Sequence, residues 1–440
     1  MDLPPPVTFE VAILAGGRGT RLDERTRGAP KPLVMLAGKP LLEHQIELCA
    51  RHGFTRLLLL VHHEHQQIRH HVGDGSRFGV VIDYQVEAEP RGTAGALIDA
   101  LDRLDPTFLT LYGDIFLDVD LRRMLSVHQQ RQAEVTLLVQ PSDHMHEADL
   151  VEVDDRDFIV AFHPYPHAEG RYRRNLANAA LYVANRSAFS VSAPGSAPTD
   201  LARQTFPELL RSGRRLFAYR SPEYIKDVGT PERLDRVARE IEAGVPARLS
   251  GRTPRSAVFL DRDGTLNREV HHLTRLEQLE LIDGATDAVA RLNQSGFLTV
   301  VITNQSVVAR GELSLESLDT IHARLEHLLG VGGAYLDRIY VCPHHPEWPG
   351  GDAAAGQAVP CDCRKPAPGM IEAATRDLAI DRHRAWLVGD TTSDIETGRR
   401  AGVRTILVKT GHGGADGRWP AVPDYIVADL SEAVDRILTS

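Results

Sequence analysis

Ala257-Val258-Phe259-Leu260 runs straight into Asp261-Arg262-Asp263-Gly264-Thr265: an apolar run closed by two aspartates one residue apart. A run this short and this apolar, bounded by a turn signal, predicts a buried strand. Carboxylates are tolerated at its end only where the strand leaves the core, at the carboxyl edge of a sheet. There Asp261 would attack phosphorus, and Asp263 would hand a proton to the leaving oxygen. A second chemical centre lies near the other end of the chain, in Leu14-Ala15-Gly16-Gly17-Arg18-Gly19-Thr20-Arg21-Leu22. It is a glycine-rich cradle for phosphate.

Strand-like runs alternate with helix-like segments in both halves. Val11–Leu14, Leu57–Val61, Phe108–Leu111 and Val135–Val139 read as strands in the first half. Ala257–Leu260, Leu298–Ile302, Arg338–Val341, Ala385–Val388 and Thr405–Val408 do so in the second. Leu41–Arg51, Ala94–Leu104, Pro231–Ala243 and Leu315–Leu329 have helical spacing. This alternation predicts α/β architecture with mostly parallel sheets and helices on both faces. A chain of 440 residues exceeds one ordinary domain. The Gly/Pro/Ser-rich stretch 244–256 is the expected linker, giving domains 8–243 and 257–440. Ser190–Thr199 is expected to be a loop inside the first of them. No internal repeat and no coiled coil is evident.

The formal charge of -10, with no basic block, argues against a nucleic-acid partner. No apolar run reaches the roughly 20 residues of a membrane span. Met1-Asp2-Leu3-Pro4-Pro5-Pro6 lacks the basic and apolar regions of a signal peptide, so the expected location is cytoplasmic. Four cysteines, three of them clustered, suggest a metal site rather than a disulfide framework. Oligomeric state is not legible.

The second half holds all the pieces of aspartate-based phosphoryl transfer, in order. Thr303 closes a strand and can bond the transferring group, and Lys365 can neutralise developing charge. Asp390 can complete a Mg²⁺ site with Asp261 and the backbone carbonyl of Asp263. Asp394 can either support that metal or cap the following helix. Cys342, His344, Cys361 and Cys363 suit tetrahedral, structural Zn²⁺ that staples the loop carrying Arg364 and Lys365. His345 is the alternative imidazole.

With these residues in register, 257–440 resembles the haloacid dehalogenase superfamily. Phe259–Asn267, Thr303-Asn304-Gln305-Ser306, Ala309-Arg310-Gly311 and the two cysteine segments resemble, within it, the D-glycero-D-manno-heptose-1,7-bisphosphate 7-phosphatase family. That resemblance implies a Rossmann-like parallel sheet with a zinc loop. It also implies substrate contacts from Asn304, Arg310 and Arg364. Thr391, where lysine is common, and His271-His272 depart from the pattern.

In the first half, Gly16, Gly17 and Gly19 let backbone N–H groups approach a triphosphate. Thr20 and Arg21 follow, then Lys31, whose charge with that of Arg21 suits the α-phosphate and departing pyrophosphate. The pattern is neither a Walker loop nor a dinucleotide fingerprint. Asp114 and Asp227 make a plausible pair of Mg²⁺ ligands. These features resemble the sugar-1-phosphate nucleotidyltransferase family over residues 8–243, which implies a GT-A-like, Rossmann-like mixed sheet.

By the same resemblance, Glu87 would read the base and Gly92 and Thr93 would line the nucleotide. Asn178 would touch the sugar. A carboxylate accepts well from guanine N1–H and N2–H₂, which favours GTP over ATP. The family's Phe-Glu-Lys is replaced by Phe162-His163-Pro164, so His163, Arg173 or Arg174 would have to hold the sugar phosphate.

Together the halves imply a bifunctional enzyme. Small-molecule substrates are expected: heptose 1,7-bisphosphate, heptose 1-phosphate and a nucleoside triphosphate, with an NDP-heptose as product. The alternatives are an adenylyltransferase, a histidinol-phosphate-like phosphatase, or a phosphatase carrying a nucleotide-sensing domain.

Overall fold

The computed structural model describes residues 8–17, 28–168, 170–191, 197–345 and 361–440. They divide into two compact units. The first comprises Met1–Gln140, Val151–Pro164 and Ala177–Ser250, and the second Pro141–Leu150, Tyr165–Leu176 and Gly251–Ser440. Two short segments expected in the first domain thus belong to the second. The reason is contact with a helix far along the chain. Glu326, on the helix Leu315–Val331, accepts the Arg174 guanidinium at 3.0 Å and the Asn175 N–H at 2.7 Å. The His327 ring packs edge-on against His146 and Tyr172.

In the first unit, nine strands among the described residues form one mixed sheet. Phe9–Leu14 is flanked in parallel by Arg56–Val61 and Leu104–Tyr112, and Val81–Val86 extends the parallel side. Ala177–Asn185 then pairs antiparallel with Leu104–Tyr112. Val11, Ile13, Leu57, Leu59, Leu109 and Leu111 form part of the core beneath the helices. The expected helix Ala94–Leu104 is shorter, Gly92–Ala100. A single tight turn, Leu101–Arg103, follows it, and Leu104 instead pairs with Phe9 at the amino ends of two inner strands. Gly92 opens the helix at φ +73°, where a Cβ would run into the Thr199 carbonyl. Ile115–Asp118 and Tyr224–Asp227 form a separate antiparallel pair.

The expected linker is partly structured. Val245–Leu249 folds as a short helix that buries Val245, Pro246 and Leu249, and the next strand begins at Arg255. Part of the Ser190–Thr199 loop, residues 192–196, lies outside the described residues.

In the second unit, six strands among the described residues form one sheet, parallel throughout. Their spatial order is Arg338–Cys342, Leu298–Asn304, Arg255–Leu260, Ile380–Gly389, Arg404–Val408, Tyr425–Val427. Arg255–Leu260 sits inside, with Leu260 level with Val301 on one side and Val388 on the other. Its apolar residues Ala257 to Leu260 are wholly buried, as a strand covered on both faces requires. All six carboxyl ends face one way, so Asp261, Thr303, Cys342 and Asp390 emerge at one edge.

Candidate active sites

At that edge a cavity of about 260 Å³ is lined by Asp261, Asp263, Thr303, Asn304, Lys365 and Asp390, among others. Lys365 Nζ stands 2.6 Å from Asp261 Oδ1 and 2.6 Å from Asp394 Oδ1. The loop that delivers it is pinned by Asn304, whose Oδ1 accepts the Lys365 N–H at 3.0 Å. Burial outweighs the lysine and, with Asp394, Asp390 and Asp263 nearby, pushes Asp261 well above the usual carboxylate range. For Lys365 the order reverses. Burial lowers its pKa, but Asp261 and Asp394 overcome that and raise it.

Burial also carries Asp390 up, to about 7. Its Oδ2 accepts the His412 N–H at 2.6 Å, while its buried Oδ1 has no hydrogen-bond partner among the described residues. An orphaned carboxylate oxygen beside Asp261 fits a hard divalent cation such as Mg²⁺. Asp394 stands with Asp261 and Asp390, their ligand oxygens within 4.8 Å of one another, and it is also bonded twice within the site. Its Oδ2 closes a capping box with Thr391, and its Oδ1 takes Lys365. Gly264 has φ +77°, and a Cβ there would meet the Asp390 carboxylate.

Asp263 turns its side chain to Arg262, Asn267 and Gln305. Burial alone would raise its pKa. The Arg262 charge and these hydrogen bonds hold it below the ordinary value. Thr303 Oγ1 accepts from Gln305 Nε2 at 2.7 Å. Arg364 donates to the His344 carbonyl at 2.9 Å, and neither it nor Arg310 lines the cavity. Arg418, His412 and His271 do. No motif singled out Arg418 or His412, because their loop reaches the cavity only through the fold.

Cys342, His344, Cys361 and Cys363 bring their ligand atoms within 4.8 Å of one another, and none of the cysteines is in a disulfide. Cys342 Sγ lies 3.6 Å from Cys361 Sγ and 3.7 Å from His344 Nδ1. Ligands at about 2.0–2.3 Å from a tetrahedral Zn²⁺ stand roughly 3.3–3.8 Å apart, so the donor set and its spacing fit that ion. Of the two histidines, His344 is the one whose ring nitrogen stands with the three cysteines.

In the first unit a cavity of about 240 Å³ opens at the carboxyl ends of the parallel strands. Gly16, Gly17, Lys31, Glu87, Gly92, Thr93 and Asp114 line it. Lys31 Nζ donates to Asp114 Oδ2 at 2.7 Å. Asp227 lies opposite Ile115 in the strand pair, next to Asp114 in sequence, and its carboxylate takes Arg233 at 2.6 Å. Two partly open carboxylates at adjoining strand ends have the hard-oxygen character Mg²⁺ takes.

Burial raises the pKa of Glu87, whose Oε1 accepts the Arg91 N–H at 3.1 Å. Its Oε2 stands over Gly16. Thr93 Oγ1 donates to Asp200. Asn178 Nδ2 donates to Tyr182 and lies off the cavity wall. Gly19, Thr20 and Arg21 lie outside the described residues. Of the substitutes for the missing lysine, Arg174 is held by Glu326 and Asp319 in the second unit, and His163 faces Glu152.

A family model described as nucleotidyl transferase matches residues 10–244, and one described as HAD-hydrolase-like matches 362–433. A D-glycero-D-manno-heptose-1,7-bisphosphate 7-phosphatase of Thermosynechococcus vestitus is 44% identical over 191 residues, 42% of this chain and 97% of that protein. The D-glycero-beta-D-manno-heptose-1,7-bisphosphate 7-phosphatase of Escherichia coli K12 is 41% identical over 190 residues, 41% of this chain and 94% of that protein. Among solved structures, HddC from Yersinia pseudotuberculosis, complexed with GMP-PN, aligns at 22% identity with a TM-score of 0.46. The alignment covers 53% of this chain and all of that one.

Proposed function

The chain belongs to the nucleotidyl transferase family over residues 10–244 and, in its C-terminal part, to the family of the heptose-bisphosphate 7-phosphatases; on that premise we propose that it makes an NDP-heptose in two consecutive steps. It is a bifunctional enzyme, a phosphatase joined to a nucleotidyltransferase. The 7-phosphate of D-glycero-D-manno-heptose 1,7-bisphosphate leaves first. The heptose 1-phosphate that remains then takes a nucleotidyl group, from GTP in preference to ATP, with release of pyrophosphate.

The observation that carries the first step is Asp261 at the end of an inner strand, 2.6 Å from a buried lysine and beside the unpartnered oxygen of Asp390. Asp261 attacks phosphorus in line and becomes an aspartyl-phosphate. Asp263, ionised at rest, takes up a proton from solvent as the ester binds, passes it to the departing sugar oxygen, and then takes one from the water that cleaves the acyl phosphate. Lys365 and Thr303 hold the phosphoryl oxygens. Asp261, Asp390 and the Asp263 carbonyl would hold Mg²⁺, which would supply charge neutralisation there. Cys342, His344, Cys361 and Cys363 would hold Zn²⁺, which would brace the loop before Lys365.

In the second step the sugar phosphate attacks the α-phosphorus directly, so positioning and charge neutralisation carry the catalysis. Lys31 and Arg21 steady the α-phosphate and pyrophosphate, Gly16, Gly17, Gly19 and Thr20 cradle the phosphates, and Asp114 with Asp227 would hold Mg²⁺, which would neutralise phosphate charge. Glu87 Oε2 accepts from the guanine edge. Gly92 and Thr93 line the nucleotide, and Asn178 serves the sugar.

The test supplies heptose 1,7-bisphosphate with GTP or with ATP and follows phosphate, pyrophosphate and nucleotide sugar. Phosphate release without nucleotide sugar for any triphosphate would remove the second activity.

A further inference from the structure

Arg262 stands between the two aspartates of the motif, and its side chain is completely buried. The guanidinium folds back on its neighbour. Nη2 donates to both Asp263 oxygens, at 3.0 and 2.8 Å, and Nε donates to Oδ1 at 3.1 Å. Asn267 Nδ2 and Gln305 Nε2 take one oxygen each, at 2.9 and 2.8 Å. Behind the guanidinium, Nη1 lies 3.2 Å from Nε2 of His322, a buried residue of the helix Leu315–Val331. A guanidinium carries only donors, so His322 Nε2 accepts and the ring is neutral, with its proton on Nδ1. Burial, with Arg262 and Arg174 nearby, keeps that ring neutral by lowering its pKa well below the usual value.

We propose that Arg262, backed by His322, is a positioning residue that fixes the plane of the Asp263 carboxyl so that it points at the departing oxygen. The proposal rests on Asp261 and Asp263 being nucleophile and proton donor. A planar fork on a carboxylate sets its orientation as well as its distance, which a lysine ammonium cannot do. Burying the arginine is costly unless both ends are bonded, and here Asp263 and His322 bond them. Asp263 therefore need not search for its geometry when the ester arrives.

The test compares kcat/KM for 4-nitrophenyl phosphate with kcat/KM for a primary alkyl phosphate monoester that the native chain hydrolyses. Nitrophenolate departs without a proton, whereas an alkoxide needs one in the transition state. The ratio kcat/KM covers the steps up to that departure. Arg262→Lys is expected to lower the alkyl value at least about tenfold more than the aryl value. His322→Leu should give the same selective loss more weakly, and His322→Gln, which keeps an acceptor, should restore it. If Arg262→Lys does not fold, the two His322 variants carry the comparison. Equal losses on both esters, or no loss on either, would overturn the proposal. A native chain that hydrolyses neither ester would remove the phosphatase reading itself, and this inference with it.

Discussion

Lys365 Nζ sits 2.6 Å from Asp261 Oδ1 and shares itself, at the same distance, with Asp394 Oδ1. One ammonium thus serves the nucleophile and a residue that caps the next helix. Replacing Lys365 with Met leaves two buried carboxylates facing each other without a cation. Phosphate release should fall by at least about a hundredfold, the scale of losing one preorganised charge at a developing anion. Asp261→Asn should abolish it. Neither change touches the first unit's cavity, so pyrophosphate formed from heptose 1-phosphate and GTP should stay within about twofold of the native rate. Coupled assays for the two products check this. Phosphate release at full rate in the Asp261→Asn chain would refute the nucleophile.

These residues are legible because each closes its own strand: an apolar run followed by Asp261, Thr303 or Asp390 carries its position in a few neighbouring letters. Arg262 stood in plain view in the motif, yet a buried arginine is not what the apolar pattern leads one to expect. Gln305 acts through Asp263, and Asp394 through Lys365, across strands whose register no local pattern encodes. The placing of 141–150 and 165–176 in the second unit depends on Glu326, far along the chain. The helix Gly92–Ala100 ends early for a similar reason: Leu104 pairs with Phe9 at the far end of a strand.

Glu87 has one carboxylate oxygen engaged by the Arg91 N–H and the other over Gly16 in the cavity. A base presenting two adjacent donors rewards that free oxygen, and one presenting a donor beside an acceptor does not. Glu87→Gln puts an amide donor against the guanine amine. The ratio of kcat/KM for GTP over ATP should drop at least about tenfold, as expected when a hydrogen-bonding site is mismatched. Initial rates of pyrophosphate release measure it. An unchanged ratio would mean that Glu87 does not read the base.

His128 is buried in the first unit between Thr136 Oγ1 at 2.9 Å and Asn185 Oδ1 at 3.3 Å, neither of which carries a charge. Burial lowers its pKa below 6.5. The unfolded chain therefore binds a proton that the folded unit refuses. This contribution is whole above about pH 6.5 and is lost as pH falls below it, by at most about 1.4 kcal/mol per pH unit. His128→Gln removes the titration. Denaturant midpoints measured at pH 7.5 and 5.5 should diverge more for the native chain than for the variant. Equal divergence would show that His128 is protonated without cost.

Arg174 places its guanidinium on Glu326, with Nε and Nη2 each at 3.0 Å from a carboxylate oxygen, and its Nη1 on Asp319. Glu326 is 4% exposed, so its charge depends on this partner and on the Asn175 N–H. Arg174→Met keeps much of the stem's packing but strands the carboxylate. A fully buried pair broken on one side costs roughly 3–5 kcal/mol. Arg174 itself is about a third exposed, and water can reach the gap, so about 2 kcal/mol is the expected loss. Glu326→Gln in the same chain should recover most of it, because an amide needs no counter-charge there. Because Arg174 belongs to the second unit, the loss should appear as early thermal inactivation of phosphate release, while pyrophosphate release keeps its native midpoint. Parallel loss of both activities would mean that Arg174 supports the first unit as well.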